Sequence, residues 1–355
     1  MSVALTDAAT TPGRPARDAG VDRLRGLAIF TMVAANLAGS ILQEPHPFAF
    51  RLYGTFAAPL FIMLAGYMVG MRSRNHPSLV AYGLRGGLIL LVAALLDALM
   101  WREWPFRGFD VLYVIGFSMP VAYLAARLSE RFQWMLVLVF FMLTPILQTL
   151  YGYNPAYPDI SLESVSFAGY CLQWRATMHH LFVDGWFPVF PWMGFALLGV
   201  CLQSVRHRLQ SRFLPLLLRS GPFMLMAGIL SWLAHPWPLS TRDGYSELFY
   251  PPTMGYLMTA TGVVFCAFAL ALTTSQAAIL KPLQVLGQCA LFLYIFHYAV
   301  IHFYFEPAWG HVPFPSFVLA YAILLALVFA AAYGVAVLKS RMGRMPFLLK
   351  FLLGG

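Results

Sequence analysis

Charge is what this 355-residue chain has least of. Asp, Glu, Lys and Arg make up 10% of it, against about a quarter in a soluble domain. With 60% hydrophobic residues, that excludes an ordinary water-soluble fold. Cysteine is scarce too: Cys171, Cys201, Cys266 and Cys289 show neither metal-site spacing nor a disulfide framework. Three of the four lie in or beside apolar runs and read as packing residues. The chain has no HExxH pair, internal repeat, low-complexity tract or second soluble domain, and no metal site is expected. Residues 1–20 lack an apolar h-region, so they read as a disordered cytoplasmic tail and not as a cleaved signal peptide.

What the chain does have is long apolar runs from end to end. They predict an all-α, polytopic transmembrane helical bundle of about 10 spans, at 24–42, 55–71, 86–100, 111–127, 133–150, 186–204, 222–235, 252–274, 286–305 and 314–338. The net charge of +9 does not point to nucleic acid, because the basic residues sit in short loops. With the N-terminus inside, the outer segments hold only Arg51, Arg102, Arg107, Arg175 and Arg242 of the 23 Lys and Arg. The positive-inside rule then puts both termini in the cytoplasm, in a multi-pass protein of the cytoplasmic (inner) membrane. The expected organisation is a tail over 1–20, a transmembrane domain over 21–338 with an ordered outer cap at 151–185, and a basic, amphipathic cytoplasmic tail over 339–355.

The first span carries polar residues at membrane depth. On a helix advancing about 100° per residue, Asp22, Arg25, Asn36, Ser40 and Gln43 fall within about 60° of one another, and Arg23 falls nearly opposite. Polar groups at that depth face a bundle interior or a wet cavity. One reading is an interhelical hydrogen bond from Asn36 with Arg25 setting topology. The other is a polar path from the cytoplasmic mouth to the outer face. Arg25 and Asn36 lie roughly 16 Å apart along the axis at ~1.5 Å per residue, so an anion held at Arg25 can send a long arm to Asn36. Beyond the helix, Pro45 and Pro47 flank His46, a candidate general base at the outer mouth.

These residues resemble the heparan-alpha-glucosaminide N-acetyltransferase family of membrane acetyltransferases. "DRLRGLAIFTMVAANLAGS", then His46, then "APLFIMLAGYMVG" with Pro59, Phe61 and Gly66, is similar to the opening of that family. "DGWFPVFPWMGFALLG" at 184–199 resembles a segment of its bacterial members. "LGQCALFLYIFH" at 286–297 resembles a C-terminal pattern shared with the wider transmembrane acyltransferase superfamily. The resemblance implies transfer of acetyl from cytosolic acetyl-CoA (acyl-CoA) to a hydroxyl or amine of an extracytoplasmic glycan or amino-sugar acceptor. His46 matches the catalytic histidine and Asn36 the asparagine at the reaction site. Arg25, Arg85 and Ser40 are the candidate CoA-binding residues, arginine being suited to phosphate. A homodimer is a further allowed partner state. The chain departs from the family where an aspartate is expected before Pro59: "GTFAA" holds no carboxylate. Asp184 and Glu44 are candidate replacements.

His297 and Tyr294 share a helix face and are candidate substrate-lining residues, with Asp184, Trp186 and His180 from the outer loop. Asp97 reads as an interfacial structural carboxylate. Two alternatives stay open: an acyltransferase-3-like O-acyltransferase of envelope glycans, and a transporter of a small or lipid-linked anion, for which paired broken helices would be the sign.

Overall fold

The computed structural model describes residues 18–75, 78–154, 161–234, 248–274, 277–342 and 345–354. The tail over 1–17 and the loop residues Tyr157 and Asp159 lie outside the described residues. Within them the chain is all helix, with two isolated bridges, Leu42–Val312 and Glu103–Ser161, and no strand.

The helices run α1 (Ala19–Ile41), α2 (Phe48–Thr55), α3 (Ala57–Ser73), α4 (Leu79–Leu96), α5 (Val111–Ala125), α6 (Glu130–Tyr151), α7 (Phe167–Leu172) and α8 (Trp174–His179). Then come α9 (Val189–Leu209), α10 (Phe213–Ala234), α11 (Met254–Thr273), α12 (Lys281–Gly287), α13 (Ala290–Val300), α14 (Glu306–Trp309), α15 (Phe314–Arg341) and α16 (Phe347–Leu352). Three π turns interrupt the series, at Asp97–Trp101, His180–Asp184 and Ile301–Phe305.

Each of the ten expected runs falls on helix, but the joins differ from the sequence reading. By length and composition, seven segments among the described residues can cross a membrane on their own, and an eighth if α12 with α13–α14 is one span bent by 78°. The basic run 206–212, expected between two spans, holds the join of α9 to α10: a 3-10 turn at Gln210–Arg212 that begins with Gln210 at φ 47°, short enough that by length the two helices count as one 46-residue stretch. The fourth run, α5, is too short to count alone. The protein is a multi-pass helical membrane protein.

α1 lies at the centre. Ile29, Val33, Leu37 and Ile41 are fully buried, as lipid-exposed α4 and α6 are not. Close helix approach depends on glycine. A Cβ on Gly26 would lie 1.8 Å from the Leu283 carbonyl oxygen of α12, and one on Gly287 1.8 Å from that of Asp22. Gly66 and Gly199 do the same for α3 and α9, so backbones touch where lipid-like side chains offer no other attraction. Exposed Leu84, Leu91, Leu99 and Leu233 face outward, as a bundle in hydrocarbon requires.

The distal end, where α1 terminates, carries a cap. Trp104 Nε1 donates to the Val165 carbonyl at 2.7 Å, and Tyr170 Oη to that of Pro105 at 2.8 Å. Buried Arg107 donates to Thr177 Oγ1 at 3.0 Å. At the opposite end α16 folds back on the bundle: Phe351 and Leu353 are buried, and Lys339 Nζ reaches the Leu353 carbonyl at 2.5 Å.

Candidate active site

The polar face of α1 meets the broken helix α13–α14. Asn36 Nδ2 donates to His297 Nε2 at 2.9 Å. One turn on, Ser40 Oγ donates to Glu306 Oε1 at 2.7 Å, and Glu306 Oε2 accepts from His302 Nδ1 at 2.9 Å. Gln43 Nε2 donates to the His311 carbonyl at 3.1 Å. His297 is fully buried, and its Nδ1 lies 2.9 Å from the Leu293 carbonyl. A carbonyl takes only a donor, so the ring proton sits on Nδ1. Nε2 is then a lone pair that accepts an N–H of Asn36, which fixes which way the amide faces.

Beside that amide lies a cavity of about 40 Å³, lined by Asn36, Ala57, Ala58, Asp110, Phe187 and Tyr294 among others. It holds a group of a few atoms, since one water occupies ~10–15 Å³ on this measure. Asp110 is the N-cap of α5. Its Oδ1 accepts the Val111 N–H at 2.6 Å, and its Oδ2 accepts from the Tyr294 hydroxyl. A carboxylate and an amide thus face one apolar space, a setting in which oriented dipoles act strongly on charge that develops there.

The other expected site residues fall elsewhere. His46 is half-buried just past α1, with Nε2 3.2 Å from the Leu42 carbonyl, and does not line the cavity. Arg25 pairs with Asp22 at 4.0 Å near the start of α1. Arg23, placed off the stripe by helical arithmetic, is also buried and donates to the Thr274 carbonyl at 2.8 Å. Arg85 sits half-buried on α4, one turn after Tyr82. Trp186 stacks edge-on against Tyr250, and only its neighbour Phe187 reaches the cavity. Asp97 is buried in the first π turn and accepts from the Tyr113 hydroxyl.

Asp110 was not singled out from sequence. Its signal was present: an Asp directly before an apolar run is an N-cap, here in "RGFDVLYVIG". Glu306 and its bond to Ser40 were also missed, because nothing local joins residues 266 positions apart.

His180 and Asp184 form a second cluster, in the cap. His180 Nδ1 lies 2.7 Å from Asp184 Oδ1, and His179 Nδ1 2.9 Å from the same oxygen. Burial works to raise the Asp184 pKa, but the hydrogen bonds and charge of His180 and His179 outweigh it and hold the carboxyl below its ordinary value. A lowered folded-state pKa gives stability that is complete above the unfolded value of about 3.9 and is lost as pH falls through the folded one. Wild-type melting temperature is therefore expected to drop on acidification below about pH 4, and Asp184→Asn to flatten that drop, read by thermal melts in detergent.

The family model described as heparan-alpha-glucosaminide N-acetyltransferase, catalytic, matches residues 17–229, more than half of the chain. The chain belongs to this family. It is a multi-pass membrane acetyltransferase. No curated protein matches the chain. The family match takes in Asn36, His46, Asp110 and Asp184 but ends before α11, so Tyr294, which lines the cavity, and His297, which bonds Asn36, both come from outside it. The missing aspartate before Pro59 also gains a context. Ala57 and Ala58 line the cavity where a carboxylate was expected, and Asp110 enters it from the start of α5.

Proposed function

We propose that this acetyltransferase takes acetyl from cytosolic acetyl-CoA and passes it through the membrane to a hydroxyl or amine of an extracytoplasmic sugar. The observation that carries this reading is the cavity joining Asn36, Asp110 and Tyr294 at the buried polar face of α1 in a chain of this family. Arg25 and Arg85 bind the CoA phosphates at the cytoplasmic side, and Ser40, with Glu306, lies distal to Asn36. The thioester carbonyl meets the Asn36 amide. The acceptor's proton passes out of the cavity to His46 at the distal mouth as the acceptor oxygen or nitrogen attacks the carbonyl carbon; the C–S bond then breaks and CoA leaves as the thiolate. His180, Asp184 and Trp186 belong to the outer surface that receives the acceptor. In this reading the bundle crosses ten times with both termini in the cytoplasm of an inner membrane.

Transporters often carry matching broken helices in two halves, whereas the described residues hold one bent pair. The purified protein is expected to melt higher with CoA or acetyl-CoA, and to move label from acetyl-CoA, in preference to butyryl-CoA, onto one of a panel of envelope glycans. No thermal shift together with no transfer to any glycan defeats the reading.

A further inference from the structure

The histidine pair of the cap has a proton-counting problem. His179 Nε2 lies 3.1 Å from the Tyr151 carbonyl oxygen, and its Nδ1 lies 2.9 Å from Asp184 Oδ1. Both neighbours are acceptors. A neutral imidazole has one N–H, so it satisfies one contact and turns a lone pair on the other oxygen. A positive ion between Nδ1 and Oδ1 resolves the conflict, and it is either a proton or a metal.

The rest of the cluster fits a metal. His180 Nδ1 converges on the same carboxylate oxygen at 2.7 Å, and the ligand atoms of His179, His180 and Asp184 all lie within 4.8 Å of one another. His180 and Asp184 are buried, while His179 is partly open, so two ligands are held rigidly and one side admits a further ligand. The π turn is what makes the set. Its i→i+5 bond, from Gly185 N–H to the His180 carbonyl at 2.9 Å, widens the helix so that residues four and five before Asp184 both lie over its carboxylate. On an α-helix the fifth residue back would point well away, so α-helical spacing pairs His180 with Asp184 and leaves His179 out. The His179 bond to the Tyr151 carbonyl is the outer-shell contact that metal-bound imidazoles usually make.

We propose that His179, His180 and Asp184 form a site for a divalent transition metal, Zn²⁺ by ligand chemistry, with the fourth position open to water or to an oxygen of the acceptor. Two imidazole nitrogens and one carboxylate oxygen are a zinc donor set. Bonds of about 2.0–2.1 Å at tetrahedral angles need ligand atoms roughly 3.3 Å apart, so the two present contacts open by about half an ångström. The metal also stiffens the cap next to the active site, because Trp186 and Phe187, directly after the cluster, donate to the Gly108 and Phe109 carbonyls at 2.9 and 2.8 Å beside Asp110.

The test uses the full chain in detergent, stripped with EDTA, loaded with Zn²⁺ and desalted. Wild type is expected to keep one zinc per chain by elemental analysis and to melt several degrees above its EDTA-treated form. His179→Ala, which changes the partly exposed ligand, and Asp184→Asn are expected to lose both the zinc and the shift. His302→Ala, in the other histidine–carboxylate pair, is expected to keep both. Co²⁺ in place of Zn²⁺ should give visible absorption bands in wild type that His179→Ala lacks. Zinc no higher in wild type than in a folded His179→Ala protein overturns the proposal and leaves a proton between Nδ1 and Oδ1. Because the readouts are metal content, melting and absorption, their outcome does not depend on acetyl transfer.

Discussion

Asp110→Asn is expected to lower acetyl transfer by about 10²–10³ while leaving the fold intact. Asparagine keeps the shape of the side chain, and its carbonyl oxygen can still cap Val111, whose N–H now binds Oδ1 at 2.6 Å. What is lost is one of the two carboxyl oxygens in a small, largely apolar cavity, the acceptor for the Tyr294 hydroxyl. Polar groups oriented where bonds change are worth several kcal/mol there, since little water is present to screen them. Comparison with His46→Ala separates the two roles. A general base contributes roughly 10²–10⁴. His46→Ala is expected to lose transfer by that factor and to regain part of it with added imidazole; Asp110→Asn is expected not to respond to imidazole. If His46→Ala keeps wild-type transfer, the histidine is not the base.

The contrast between these two residues shows what a sequence can carry. The α1 stripe was readable because it depends on one helix and one period: Asn36, Ser40 and Gln43 all bond to residues of the same later segment, 297–311. Their partners were not readable, because they lie on α13 and beyond, more than 260 positions away, and no local rule selects them. The spans were readable from composition, but the short join of α9 to α10 was not, since a 3-10 turn through basic residues looks like a loop on paper. The π turns were hidden for a related reason. Helical arithmetic assumes one period, and each π turn breaks it where a titratable group sits: Asp97, Asp184 and His302. His46 was read from two prolines and a resemblance, and both place it near the distal end of α1 without fixing which way its ring faces.

Asn36 and His297 are expected to behave as one unit. Asn36→Leu should cost transfer about 10²–10³, the loss seen when a donor to a developing oxyanion is removed. His297→Leu should cost nearly as much although His297 does not line the cavity, because it takes away the only hydrogen-bond partner of the Asn36 amide among the described residues. The amide is then free to rotate, and its donor no longer stays aimed at the carbonyl. The double variant should be little worse than either single one, giving a coupling of roughly 1–3 kcal/mol in a double-mutant cycle on kcat/KM. His297→Gln offers a finer test. Its side-chain oxygen can accept from Asn36 as Nε2 does, so part of the activity should return, while a leucine of similar bulk returns none. If the two single losses simply add, the pair is a packing contact between α1 and α13 and Asn36 is oriented by something else. Since the family match ends before His297, strong coupling would also mean that the C-terminal third of the chain sets the geometry of a site whose reacting groups come from the first.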